Sequence, residues 1–272
     1  MELSLTAWSM PSCTLEECAA ISKALSINAL DVGLFYRSAL DKAQLLSDPQ
    51  AVAQHVRALD IRTPNFYHLF GDSLDGRNLA LPGTLDQNLA DLEQVLTFAD
   101  SANIGTVFIL PGVVNPGQSR EDAFNVSAQS LKAMVELSSG YNATLCIEPH
   151  VHSFTESPAI VERLVEVTGI KLALDYSHFA CLGYRQDEVD PLAKHAAHVH
   201  LRQAKMGDLQ AKFAQGTLNF PAMFGTLRDA GYTGAVAIEP VHQDYMNTWF
   251  DDILTEIIAL RDCFNTWNQG AS

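Results

Sequence analysis

Four short segments of this chain end in a residue that could bind a metal: 143–148 (ATLCIE), 170–175 (IKLALD), 197–200 (AHVH) and 234–239 (GAVAIE). An apolar run closing on a carboxylate or imidazole is the pattern of a parallel strand whose body fills a core while its last residue emerges into a site. The four lie one β-plus-α unit apart, so their ends converge on one pocket holding Glu148, Asp175, His200 and Glu239. Three carboxylates at one centre raise one another's pKa, and burial adds to the effect. A divalent cation is the economical way to keep all three ionised. Three oxygen donors with one nitrogen suit one Mn²⁺ foremost, then Mg²⁺, with Co²⁺ and Zn²⁺ as alternatives; a closed structural zinc site would use thiolates or more imidazoles. The competing reading is a structural salt-bridge network with Arg202, Lys205 and Lys171.

The elements that must position these groups alternate along the chain. Strand-like segments fall near 2–8, 28–34, 65–70, 105–110, 143–148, 170–175, 197–202 and 234–239. Helical stretches between them begin near Thr14, Asp48, Thr84, Ser119, Ser157, Asp187, Asn219 and Asn247, most of them capping residues. Gly105, Gly140, Gly169 and Gly231 sit where helices should stop. Repeats of this kind with no strand-only region predict a single (β/α)8 TIM barrel over residues 1–272, with an open doubly wound sheet as the alternative. Alternation puts Thr144, Cys146, Ala173, His198, Ala235 and Ala237 inside the barrel, and Leu145, Ile147, Leu172, Leu174, Val236 and Ile238 under the helices.

Active sites of such barrels form at the C-terminal strand ends, where Trp8, His68, Phe70, His150, His152, His178, Arg202 and His242 should join the four ligand residues. Arg202 shares the face of His200, so its guanidinium either binds an anionic oxygen of a substrate or pairs with a neighbouring ligand. Trp8, Tyr67, Phe70, Phe179 and Tyr184 are candidates to pack on the C–H faces of a ligand at the mouth. The interruption at 71–82 (GDSLDGRNLALP) reads as a mobile cover, with a plain surface excursion as the alternative. Trp249, Phe250 and Phe264 offer either a homodimer contact or packing onto the barrel.

A formal net charge of −15 over 272 residues repels nucleic acid and anionic membranes. There is no apolar run of membrane-spanning length, and MELSLTAWSM has no basic start, so a cytoplasmic location is expected. The five cysteines include no CxxC pair, which fits a reducing compartment, and no glycine-rich nucleotide motif occurs, so no nucleotide cofactor is expected.

The runs IEPH, LDYSH, HVHLRQ and IEP, in that order, resemble the xylose isomerase-like TIM barrel superfamily, in particular its sugar isomerase and 3-epimerase branch. The resemblance covers essentially the whole barrel. It implies that Glu148, Asp175, His200 and Glu239 bind one divalent metal, that Glu148 and Glu239 also move the proton, and that His178 contacts substrate. Two places depart from the epimerase pattern. Gln203 stands where those enzymes tend to carry an acid, and 148–152 (EPHVH) is unusually rich in imidazole. The repair-nuclease branch needs further zinc ligands. Here 108–111 reads FILP, no Asp-x-His follows His200, and only His68 matches.

The expected activity is therefore a metal-dependent sugar or sugar-derivative isomerase or epimerase working through a cis-enediolate. Glu148 and Glu239 would be catalytic, and His178, Arg202, His150, His68, Lys205 and Trp8 would contact a small carbohydrate. The alternative is a lyase, a dehydratase or decarboxylase of an oxidised sugar acid whose carboxylate Arg202 or Lys205 would grip. A non-catalytic sugar- or metal-binding barrel is the third reading.

Overall fold

The computed structural model describes residues 1–34, 39–249 and 252–270. Strands β1 (Glu2–Thr6), β2 (Leu30–Gly33), β3 (Asn65–Tyr67), β4 (Thr106–Ile109), β5 (Thr144–Ile147), β6 (Lys171–Asp175), β7 (Ala196–Leu201) and β8 (Ala235–Ile238) form a closed parallel barrel in chain order. Closure is made by β1 against β8, with Glu2, Leu3, Ser4 and Leu5 opposite Ala235, Val236, Ala237 and Ile238. The chain is a single (β/α)8 TIM barrel, as the alternation of segments predicts, and the open sheet is excluded.

The helices begin where the sequence supplies caps. Thr14 and Glu17 form a capping box on α1 (Leu15–Ala24), and Lys42–Ser47 (α2) starts on Asp41. Asp48 caps α3 (Pro49–Ala58), α4 spans Leu85–Ala102, and Ser119 with Asp122 boxes α5 (Arg120–Ser138). Pro158 opens α6 (Pro158–Thr168), which stops on left-handed Gly169. Two short helices follow β6, α7 (Tyr176–Cys181) and α8 (Gln186–Val189). Asn219 caps α9 (Phe220–Asp229), and α10 runs Ile253–Gly270. The helix predicted from Asn247 thus starts later, and Phe250 lies outside the described residues. Helix α4 is ended by Asn103 at φ 57°, two residues before the glycine expected to do it.

Two apolar layers follow from strand alternation. Leu145, Ile147, Leu172, Leu174, Val236 and Ile238 lie in the large core between barrel and helices, while Cys146 and Ala173 lie inside the barrel with Trp8, Tyr67 and Phe108. Tyr67 stacks on Phe108, ring centres 4.5 Å apart. Only glycine fits at position 33, because a Cβ there would lie 2.6 Å from the Tyr67 Cβ. The strand order therefore brings β2 hard against β3 at the level of the site.

The segment 71–82 is not a free cover. Its first part, Gly71 to Leu74, borders the central cavity. Its second part is tied down: Asn78 donates to Asn115 Oδ1 and accepts from Ala80 and Val113, Gln118 donates to Ala80 O, and Arg77 pairs with Asp91. Leu79 and Ala80 are fully buried, so residues 77–82 belong to the outer core rather than to a lid.

Among the described residues no helix is long and apolar enough to cross a membrane. Phe264 is buried against Phe224 and Trp267, which accounts for it as packing on the barrel, whereas Trp249 is half-exposed and edge-on to His242.

Candidate active site and metal centre

Each candidate ligand stands at or near the end of its strand. Glu148 directly follows β5, its N–H still paired to Ile109 O, and Glu239 follows β8, paired to Leu201 O. Asp175 closes β6 and at once caps α7, accepting from Ser177 N at 2.8 Å. That double use is what fixes its carboxylate. His200 lies within β7, opposite Asp175 and Ala237 in the ladders. One ligand atom from each of Glu148, Asp175, His200 and Glu239 falls within 4.8 Å of the others, and all four residues are buried.

The hydrogen bonding at this point is incomplete. His200 Nδ1 donates to Glu148 Oε1 at 2.5 Å and lies 3.6 Å from Glu239 Oε2. Arg202 donates through Nε and Nη2 to Asp175 Oδ2 at 3.1 and 2.8 Å, and through Nε to Ser177 Oγ at 2.9 Å. Its Nη2 is 3.5 Å from Glu239 Oε2. Trp8 Nε1 donates to Glu239 Oε1 at 2.7 Å. Glu239 Oε2 is buried and accepts no hydrogen bond. Burial pushes the Glu148 carboxyl upward, with His200 opposing. Burial would do the same to Asp175, but Arg202, His178 and His200 together hold it at about 2. For His200, burial disfavours the cation, yet Glu239 and Glu148 outweigh it and push the imidazole up to about 10. A buried carboxylate oxygen without a donor, beside two further carboxylates and an imidazole, fits a divalent cation.

A cavity of about 610 Å³ opens above these groups. Glu148, Glu239, His150, His178 and Arg202 form its polar end; Leu34, Leu40, Leu69, Leu74, Leu110 and Val241 give it an apolar wall, and Lys42, Asp72, Ser73, Gln243 and Asp244 also border it. His150 Nδ1 lies 2.6 Å from Val151 O, which places its proton there and leaves Nε2 an acceptor, buried and without a partner. His178 Nδ1 accepts from Val151 N at 3.2 Å, while its Nε2 lies 3.1 Å from Arg202 Nη2 and 3.6 Å from Asp175 Oδ2. Burial holds both imidazoles below the usual histidine range, hence neutral.

Three expected substrate contacts fall elsewhere. His68 is fully buried, edge-on to Phe70, and does not line the cavity. The register of β3 on β4 turns Tyr67 inward, so His68 and Phe70 face the helices. Lys205 is half-exposed, pairs with Asp208 at 3.7 Å and does not line the cavity either. Trp8 is present at the site but bound to Glu239 instead of bordering the cavity. Phe179 and Tyr184 pack into the outer core.

Other residues of the site carried no obvious signal. Ser177 braces Arg202, and Tyr245 borders the cavity with its hydroxyl on Val151 O at 3.1 Å. Inside the barrel, Asp31 Oδ2 takes Asn65 Nδ2 at 3.0 Å and lies 2.7 Å from His198 Nε2, while Ser4 holds its other oxygen. Asp31, His198 and His200 are close enough to form a second ligand-type group, but Asp31 already accepts from Ser4 and Asn65.

A family profile described as xylose isomerase-like TIM barrel matches residues 21–263, and the chain belongs to that family. Solved structures share the whole architecture at low identity. A D-tagatose 3-epimerase-like protein is 15% identical with TM-score 0.75, covering 100% of both chains. An IolI protein with a bound zinc atom is 13% identical with TM-score 0.73, covering 98% of each. The probable 3-DHS dehydratase AsbF of Bacillus anthracis is 12% identical with TM-score 0.71, covering 96% of this chain and 99% of its own. None of the curated proteins matches the chain in sequence.

Proposed function

We propose that this protein is a divalent-metal-dependent isomerase or epimerase of a sugar or sugar derivative, with Glu148, Asp175, His200 and Glu239 holding one Mn²⁺. The observation that carries the reading is the convergence of these four strand-end side chains within 4.8 Å at the polar end of the cavity. When bound, the metal would supply Lewis acidity toward the oxygens of an α-hydroxycarbonyl group. The chain's own residues then account for the proton. Glu148 and Glu239 both border the cavity, whereas Asp175 and His200 do not, so only the two glutamates reach substrate carbon. One takes the proton α to the carbonyl, giving a cis-enediolate, and one returns a proton to either the neighbouring carbon or the opposite face. Arg202 is a fixed cation beside the developing oxyanion, and neutral His150 accepts from a substrate hydroxyl through Nε2. The epimerases among the structural neighbours support this reading.

Arg202 favours a second reading, because a buried guanidinium bordering the cavity also suits a carboxylate, as a dehydratase or decarboxylase of an oxidised sugar acid would require. Turnover in heavy water decides between them. The first reading expects deuterium on the carbon next to the carbonyl with the skeleton unchanged. Loss of water or carbon dioxide, or no exchange in any sugar with the metal site filled, would overturn it.

A further inference from the structure

The rim of the barrel is divided in two. Strands β5 to β8 present Glu148, Asp175, His200 and Glu239 at or next to their ends, while the chain leaving β2, β3 and β4 brings Leu34, Leu69 and Leu110 to the cavity. Resting on the metal-dependent reading above, we propose that the substrate is an α-hydroxycarbonyl compound, such as a glycoside, that carries an alkyl or aryl group, and that this group lies against the leucines of β2 to β4.

The wall is apolar by construction. Leu69 and Leu110 follow Tyr67 and Phe108 by two residues, so they continue the inward face of their strands above the packed rings of Trp8, Tyr67 and Phe108. They are only partly buried, as cavity-facing side chains must be. Leu40 and Leu74 extend the surface outward. Among the described residues Lys42, Asp72 and Ser73 border the cavity beside these leucines, and the Lys42 ammonium already donates to Leu69 O at 2.8 Å and to Gly71 O. A free hexose chelated at the polar end would press its remaining hydroxyls on this wall, and each hydroxyl stripped of water without a partner costs about 1–3 kcal/mol. An alkyl or aryl group there gains from the same surface. The cavity, at about 610 Å³, has the size of a site for a ligand larger than one sugar ring.

Hydroxamates test this, because the head group chelates a divalent metal and the tail can be varied. Calorimetric titration of the Mn²⁺-loaded protein would compare acetohydroxamate, hexanohydroxamate and gluconohydroxamate, the last two sharing a six-carbon chain. A buried methylene contributes roughly fourfold in affinity. Hexanohydroxamate should bind at least about 30-fold more tightly than acetohydroxamate and at least about 10-fold more tightly than gluconohydroxamate. Leu69→Asn and Leu110→Asn should shrink the hexano-to-aceto ratio toward one. A polyol tail that binds as tightly as the alkyl tail, or an alkyl tail that adds nothing, overturns the substrate class and leaves the metal reading intact. Failure to take up Mn²⁺ or to bind acetohydroxamate overturns the metal reading itself, and this inference with it.

Discussion

Arg202 Nη2 lies 2.8 Å from Asp175 Oδ2, so the carboxylate proposed as a metal ligand is also the anchor of a buried guanidinium. The pair does two things at once. It keeps Asp175 ionised despite burial, and it turns the guanidinium toward Glu239 and the cavity.

Removing the guanidinium should expose that dependence. Arg202→Met leaves Asp175 and Glu239 short of positive charge, and breaking a buried pair typically destabilises by about 3–5 kcal/mol. Urea unfolding should show a loss of this order in chelator-treated protein and a smaller loss with Mn²⁺ bound. Equal stability of variant and wild type without metal would mean that the carboxylates are balanced by other groups.

Metal content is the most direct check on the ligand set. Asp175→Asn and His200→Ala should each retain far less Mn²⁺ than wild type after dialysis, read by elemental analysis, because each removes an ionised or lone-pair donor. Full occupancy in both variants would sink the assignment of those two residues.

His200 sets the pH dependence. Its folded-state pKa is raised from 6.5 to about 10, so its contribution to metal-free stability is complete below the unfolded value and is lost as pH rises through the folded one. Metal uptake must displace that proton. Mn²⁺ affinity should therefore rise about tenfold per pH unit between about 7 and 9, with about one proton released per ion from this group. Calorimetry in buffers of different ionisation enthalpy counts the proton; pH-independent affinity would remove His200 Nδ1 from the ligand set.

Glu148→Gln and Glu239→Gln should each slow exchange of substrate C–H with heavy water by about 10²–10⁴-fold, with much smaller changes in KM. The measurement is deuterium incorporation by mass spectrometry. If one variant exchanges at the wild-type rate, that glutamate serves binding alone.

The barrel and the four-residue centre were legible because an apolar strand ending in a ligand residue is a strong local signal, and four in order leave little freedom. Phase within β3 was not legible. PNFYHLF is apolar on both faces, as a parallel strand covered on both sides must be, so alternation carried no mark of which face was inward, and His68 and Phe70 were assigned to the wrong one. Lys205 was misplaced because the chain leaves β7 after Leu201 and turns back on itself, bonding Lys205 to Asp208. The anchoring of 77–82 depends on Asn78, Asn115 and Gln118 meeting across two loops, a long-range relation that no local pattern encodes. The Asp31 network was hidden for the same reason: its partners come from β1, β3 and β7.

Trp8 holds Glu239 through its indole N–H and presents its ring to His200 at 6.1 Å, nearly perpendicular. An imidazolium quenches the emission of a neighbouring indole more strongly than a neutral or coordinated imidazole does. Filling the centre therefore changes the optical environment of one tryptophan out of three, while Trp249 and Trp267 pack elsewhere. The chain carries its own gauge of occupancy, readable by fluorescence with no label and before any substrate is in hand.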